Sequence, residues 1–224
     1  MNLSHLKYPR KSHRKKVIIP EECELLAEFL GIVFGDGGIH HNHQFVISLN
    51  AIKDRSYSEY VANAVFKLFG IKPYFYHRKK YNTLNLVVSS TSVVEFLIVK
   101  GAVRGNKILQ GLSIPEWVLA NRKYCRAFVR GLVDTDGCLY IHNHVVKGKR
   151  YFNLGFCFTS KSSKLILQVS RILRENGFGN SISKGGCDVY MYSAKNIISY
   201  LDIIGTSNAR IYDVYTHWRG VRVV

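Results

Sequence analysis

The chain has 224 residues, 47% of them hydrophobic, enough to bury a core in one large domain or two small ones, and no stretch approaches the roughly eighteen apolar residues of a membrane span. Thirty-two Lys and Arg against fifteen Asp and Glu leave a net charge of +17, so a polyanion is the expected partner; nucleic acid comes first, although ribosomal and membrane-surface proteins share such a charge. Five cysteines (Cys23, Cys125, Cys138, Cys157, Cys187) form no C-x-x-C pair, which argues against a zinc knuckle or a disulfide framework and for thiols in a reducing, intracellular compartment.

The chain begins MNLSHLKYPRKSHRKK, without the apolar core or cleavage site of a secretory signal, so the expected location is cytoplasm or nucleoid, or an organelle in a eukaryote. Residues 1–19 read as a basic arm, with Lys7, Arg10, Lys11, Arg14, Lys15 and Lys16 either ordering on a nucleic-acid backbone or forming a solvated tail. A helix is predicted from Pro20, with Glu21, Glu22 and Glu24 in the first turn, where the macrodipole favours anions. Leu25, Leu26, Phe29, Leu30, Ile32, Val33 and Phe34 leave it almost no polar face, so it must be buried nearly all round. Gly31 and Gly35 share one face of that helix. Each costs about 1 kcal/mol relative to alanine, a cost that makes sense where another backbone comes very close.

After Asp36-Gly37 comes a strand-like hairpin, Gly37–Asn50, then a helical pattern with Val61, Val65, Leu68 and Phe69 that closes on LFGI. Two strand-like runs, KPYFYHRKK and TLNLVVSS, and a helix, SVVEFLIVKGA, complete the first copy at about residue 102. Past a connector (Val103–Asn121) the same order recurs. A helix within Asn121–Thr135 places Gly131 and Thr135 at the spacing of Gly31 and Gly35, and it runs into Asp136-Gly137. A hairpin over Gly137–Ser160 follows, then a helix with Leu165, Val169, Ile172 and Leu173 closing on ENGFG. The runs NSISK and CDVYMYS and the helix AKNIISYLDIIG end the second copy at about residue 205. The pattern predicts an α+β protein: two α-β-β-α-β-β-α halves (20–102 and 121–205), a linker (103–120), and a C-terminal extension (206–224) of open role.

The strands present candidate contact faces. In RYFNLGFCFTS, Phe152, Leu154, Phe156 and Phe158 alternate with a mostly polar set that includes Tyr151 and Asn153. In KPYFYHRKK one parity carries Lys72, Tyr74, Tyr76, Arg78 and Lys80, and Tyr190 and Tyr192 alternate in CDVYMYS. Aromatic and basic side chains on a sheet face suit readout of DNA edges and phosphates. The histidines His40, His43, His142 and His144 are expected at hairpin tips, touching phosphate or base edges together with Lys147, Lys149 and Arg150.

Two core helices that both end on a carboxylate pose a chemical problem. Packed in parallel through their small residues, they would bring Asp36 and Asp136 together at the negative ends of two helix dipoles, where cations are preferred. Two acids placed there repel unless a positive ion joins them. Mg²⁺ fits, since it takes one or two carboxylates and fills its other positions with water and phosphate oxygens.

FLGIVFGDG (Phe29–Gly37) and VRGLVDTDG (Val129–Gly137) resemble the two motifs of a single-chain LAGLIDADG homing endonuclease, and IPEWVLANRKYCRAFVRGLVDTDG is similar to the segment leading into the second motif. The resemblance covers roughly residues 20 to 205. It implies two pseudo-twofold-related αββαββα subdomains, a central two-helix interface, and saddle-shaped antiparallel sheets over the major grooves of a long, asymmetric double-stranded DNA site. It also implies that Asp36 and Asp136 are catalytic metal ligands, with the backbone carbonyls of Gly35 and Thr135 as further contacts. Asn50, Ser160 and Lys161 stand loosely where family members place an auxiliary polar or basic residue. The implied reaction is cleavage of both strands across the minor groove by a monomer, leaving short 3′ overhangs. Water attacks phosphorus in line while Mg²⁺ neutralises charge on the leaving oxygen. Mn²⁺ is the expected substitute, and Ca²⁺ an ion that binds without supporting cleavage. Asp134 matches the earlier acid of the motif, where the first copy has Phe34, a position that is usually structural. The alternatives are an RNA maturase acting on intron RNA, a DNA-binding protein that does not cut, and a ribosomal-type RNA binder.

Overall fold

The computed structural model describes residues 17–221, so the basic run Lys7–Lys16 lies outside the described residues. The first half contains α1 (Glu24–Gly35), β1 (Gly37–His41), β2 (Gln44–Asn50), α2 (Arg55–Phe69), β3 (Tyr74–Arg78), β4 (Thr83–Ser89) and α3 (Thr91–Val99). A connector with the short helix α4 (Glu116–Leu119) leads to the second half. That half contains α5 (Arg122–Asp136), β5 (Gly137–Val146), β6 (Lys149–Thr159), α6 (Ser163–Glu175), β7 (Ser181–Ile182), β8 (Asp188–Met191) and α7 (Ala194–Ile203). Helix α8 (Ala209–Val221) follows.

Each half thus has the predicted α-β-β-α-β-β-α order. The two four-stranded antiparallel sheets share one topology, β1-β2-β4-β3 and β5-β6-β8-β7. The protein has the α+β, two-subdomain architecture expected of the repeat.

Local chemistry sets many of the boundaries. Serine hydroxyls at Ser90, Ser162 and Ser193 accept the backbone N–H of Val93, Leu165 and Asn196, capping α3, α6 and α7. Helix α2 stops at Gly70, whose φ of 68° few side chains tolerate. The tight β5–β6 turn uses Lys147 and Gly148, both at positive φ, the twist that a two-residue hairpin needs.

Helix α1 begins at Glu24, four residues later than Pro20, and Cys23 is its N-cap. Tertiary contacts hold the preceding segment outside the helix. The Glu22 carboxylate binds Lys100 Nζ at 2.5 Å, the Glu22 carbonyl accepts Tyr124 Oη at 2.8 Å, and Ile18 N donates to Phe69 O. Strand β7 is only two residues long, shorter than NSISK suggested, and Tyr192 lies just past the end of β8.

Edge-to-face rings carry the first core, from Phe45 through Phe29 and Phe69 to Phe96. In the second half, Phe156 and Phe178 close around the buried Tyr200. Leu154, Phe156 and Phe158 are buried as the alternation in β6 requires, while Tyr151 and Asn153 are exposed.

The halves meet along α1 and α5. A Cβ on Gly31 would overlap the carbonyl oxygen of Phe128, and a Cβ on Gly131 would overlap that of Glu28, so two symmetry-related glycines let the helix backbones touch. Phe34 fills its place by packing edge-to-face on Phe128 at 5.1 Å. No described helix is long and apolar enough to cross a membrane.

Candidate active site at the paired helix ends

The contact between α1 and α5 fixes where their last residues go. A Cβ on Gly35 would overlap the Thr135 side chain and lie 3.3 Å from Asp136 Oδ2, so both helices end at one place. Asp36 caps α1 and Asp136 closes α5. Burial pushes the Asp36 carboxyl up to about 7, helped by the charges of Asp136 and Asp54 and opposed by Lys107 and Arg210. Burial likewise pushes Asp136 up to about 6, against the pull of Lys107. The pair predicted from the repeat is therefore brought together, in a setting that disfavours two negative charges.

Two cations face these carboxylates, and sequence reasoning missed both. Lys107 comes from the connector. Its Nζ donates to the carbonyl oxygens of Gly35 at 2.6 Å and Phe34 at 2.8 Å, covering the negative end of α1. Burial pulls its ammonium below the usual range, while Asp136 and Asp36 pull the other way. Arg210 comes from the C-terminal extension, and its Nη2 donates to the carbonyl oxygens of Asp134 at 3.3 Å and Gly137 at 3.5 Å, at the end of α5. Each cation follows the last helix of its own half and returns to the end of that half's first helix. The available signal was the basic residues of two segments set aside as linker and tail, Arg104 and Lys107 in one and Arg210, Arg219 and Arg222 in the other.

The other expected site residues are more dispersed. Asn50 ends β2, and its Oδ1 accepts the backbone N–H of Ile52 and Lys53, so that oxygen organises a turn. Lys161 lies exposed in the loop after β6. The Gly35 carbonyl is the one met by Lys107, and Thr135 Oγ1 turns back onto the carbonyls of Gly131 and Leu132.

Of the contact candidates, Tyr74, Tyr76 and Arg78 are exposed on β3, and Lys80 lies in the turn after it. Lys72 precedes the strand and sits over the Phe66 ring of α2 at 5.9 Å, on the helix layer. His40 is exposed in β1 beside Gly38, and His43 lies in the β1–β2 turn, stacked on His41 at 5.6 Å. The second histidine pair departs from expectation: His142 and His144 lie within β5, because this hairpin is longer and turns only at Lys147-Gly148. They stack on one another, and His144 stacks on Tyr151 across the ladder. Lys149 and Arg150 open β6, and Tyr190 stacks with Tyr192 beside it.

Beneath the site a buried polar network ties the extension to both halves. Glu28 is almost fully buried; it pairs with Arg130 Nη2 and accepts Tyr60 Oη at 2.7 Å and Ser207 Oγ at 2.6 Å. Asp134 accepts Thr206 Oγ1 and, at 2.7 Å, Ser207 N. Burial nonetheless pushes its carboxyl up to about 7. Asp134 is thus bonded into this buried network.

The donor set fits a hard divalent cation held by few protein groups. No cluster of three or more His, Cys, Asp or Glu side chains occurs among the described residues. Two facing carboxylates with raised pKa values suit an ion such as Mg²⁺, which keeps several positions for water and phosphate oxygens.

Comparison with known proteins agrees with the fold. The family model for a LAGLIDADG-like domain matches residues 123–214. No curated protein matches the chain in sequence. Among solved structures, the I-LtrWI LAGLIDADG homing endonuclease bound to target DNA is similar over 88% of this chain and 89% of its own, with a TM-score of 0.59 at 14% identity. I-DmoI in complex with DNA and Ca is similar over 81% of this chain and 88% of its own, with a TM-score of 0.55 at 19% identity. The meganuclease I-SmaMI bound to uncleavable DNA is similar over 90% of this chain and 91% of its own, with a TM-score of 0.59 at 11% identity.

Proposed function

Because the chain carries a LAGLIDADG-like domain at residues 123–214 inside the two-subdomain fold of LAGLIDADG homing endonucleases, we propose that it is a site-specific DNA endonuclease that cuts both strands of a long, asymmetric duplex target. The observation that carries this reading is the meeting of Asp36 and Asp136, one from each half, beside two cations in a chain of net charge +17.

In this reading the exposed sheet residues, among them Tyr74, Tyr76, Arg78, His142, Tyr151 and Asn153, lie along the major groove and select the sequence. The backbone phosphates meet Lys147, Lys149 and Arg150. Asp36 and Asp136 would hold a divalent cation, which would supply Lewis acidity for hydrolysis of the phosphodiester. Mg²⁺ is the expected ion; I-DmoI has been crystallised with DNA and either Ca or Mn, which supports a divalent requirement. Lys107 and Arg210 place positive charge against the scissile phosphates, where it offsets the charge that grows on the phosphoryl oxygens. Cleavage across the minor groove leaves short 3′ overhangs, and the protein acts as a monomer because both carboxylates are in one chain.

The test starts from a random duplex library incubated with the protein and Mg²⁺, from which cut molecules are recovered. Asp36→Asn and Asp136→Asn are expected to bind the recovered target with near wild-type affinity yet lose double-strand cleavage. Full cutting by both variants would sink the assignment, and so would recovery of no cut DNA alongside tight binding of structured RNA.

A further inference from the structure

The two cations beside the carboxylate pair are held differently, and the difference lies in the residue just before one helix. Asp54 is the N-cap of α2, and it reaches across the molecular midline to the C-terminal extension. Its Oδ1 accepts Arg210 Nε at 3.2 Å and Asn208 Nδ2 at 2.9 Å, while its Oδ2 accepts Asn50 N at 3.3 Å. The matching N-cap in the second half, on α6, is Ser162. Ser162 also crosses to the segment that carries the other cation, since its Oγ donates to the connector carbonyl of Leu112 at 2.8 Å. It brings no charge. Lys107 bonds to carbonyls and, among the described residues, to no carboxylate.

A guanidinium favours a carboxylate that it can grip with two N–H groups. The Arg210 charge also acts on Asp36 across the site. Asp54 takes Nε while Nη2 of the same guanidinium reaches the carbonyls at the end of α5.

Resting on the endonuclease reading, we propose that Asp54 is a positioning residue that aims Arg210, and that it makes the two halves of the cleavage centre unequal. Arg210 then serves one scissile phosphate under the control of Asp54, and Lys107 serves the other without it. Loss of the Asp54 carboxylate is then felt on the strand that Arg210 serves and not on the other.

The experiment uses the full chain, Mg²⁺ and a duplex recovered as cleavable, with each strand carrying its own label, under single-turnover conditions. Asp54→Ser copies the uncharged residue of the second half; the Asp54 side chain makes no capping bond to α2, so the helix start does not depend on its carboxylate. It is expected to slow one strand by about tenfold or more, as misplacement of a catalytic group does, and to leave the other within about twofold. Arg210→Gln should slow the same strand, and adding Asp54→Ser to it should cost nothing further. The Arg210 Nε–H resonance, assigned by its loss in Arg210→Gln, should exchange slowly in the wild type and rapidly in Asp54→Ser. Asp54→Asn, read by the same two measurements, covers the case in which Asp54→Ser does not fold. Equal slowing of both strands, additive effects of the two substitutions, or an unchanged Nε–H exchange rate would overturn the proposal. A wild-type protein that cuts neither strand of any duplex would strike the endonuclease reading instead, with the resonance still reporting whether Asp54 holds Arg210.

Discussion

Three aspartates stand where α5 and α1 end, Asp134 fully buried, Asp36 half-buried and Asp136 at the surface of the site, and their titration links the site to the stability of the protein. Asp36 and Asp134 are pushed up to about 7 and Asp136 to about 6, in each case first by burial, from an ordinary value of 3.8. The folded protein therefore keeps protons that the unfolded chain releases. Each group's contribution is fully present below about pH 4 and is lost as the pH rises through its folded value. In metal-free buffer the unfolding free energy should fall between about pH 4 and pH 7, then level off. Urea denaturation across that range in chelator would show it, and a rise through the window would contradict the assignment of these environments. Asp36→Asn should flatten the slope, and, if the ionised pair takes up the proposed cation, Mg²⁺ should restore stability above pH 7. Lys107 opposes part of this cost, so Lys107→Met should lower stability most where both acids are ionised.

At the scale of elements, the helix pair is held together by the absence of side chains. Gly31→Ala or Gly131→Ala drives a methyl group into a backbone carbonyl of the partner helix, and neither backbone can yield without moving the ends that carry Asp36 and Asp136. Each should cost about 3 kcal/mol or more, the upper end of overpacking changes. Gly220→Ala in α8 is the control. Nothing lies within 4 Å of its added methyl group, and it should be neutral or stabilising by about 0.5–1 kcal/mol. Chemical denaturation of the three variants measures the contrast. Comparable losses at all three positions would mean that the helices do not touch as described.

For the whole molecule, the same interface implies that neither half is complete. Helix α1 is buried through Leu26–Phe34, partly against its own sheet and partly against α5, and the Glu28 network draws on Tyr60, Arg130 and Ser207 from three separate segments. Residues 17–106 and 107–221 expressed separately should remain poorly folded and become cooperative only when mixed, as circular dichroism melts would report. Two independent transitions of native amplitude would show instead that the halves are autonomous. On the proposed function, DNA affinity should fall steeply with salt, since a chain of net charge +17 would bind by displacing counterions from phosphates. Filter binding between 50 and 200 mM salt would give the slope, and about six or more phosphate contacts predict at least a thousandfold loss.

By itself the sequence determined the repeat, the order of elements, the buried helix pair and the meeting of Asp36 with Asp136. Those features follow from local periodicity and from small residues and acids at matching positions, which are written in contiguous stretches. It left undetermined where α1 begins, because Lys100 and Tyr124 draw Glu22 out of a segment that is locally suited to a helix. It also placed His142 and His144 at a hairpin tip, since hairpin length depends on which residues pair across the strands. Above all it did not show Lys107, Arg210 or Asp54 at the centre. Their roles arise when a connector and a C-terminal extension fold back onto the ends of helices far away in the chain. Only the tertiary structure decided that, because a cation is drawn to whichever carbonyls and carboxylates packing leaves exposed at the helix ends, and that choice carries no local periodicity.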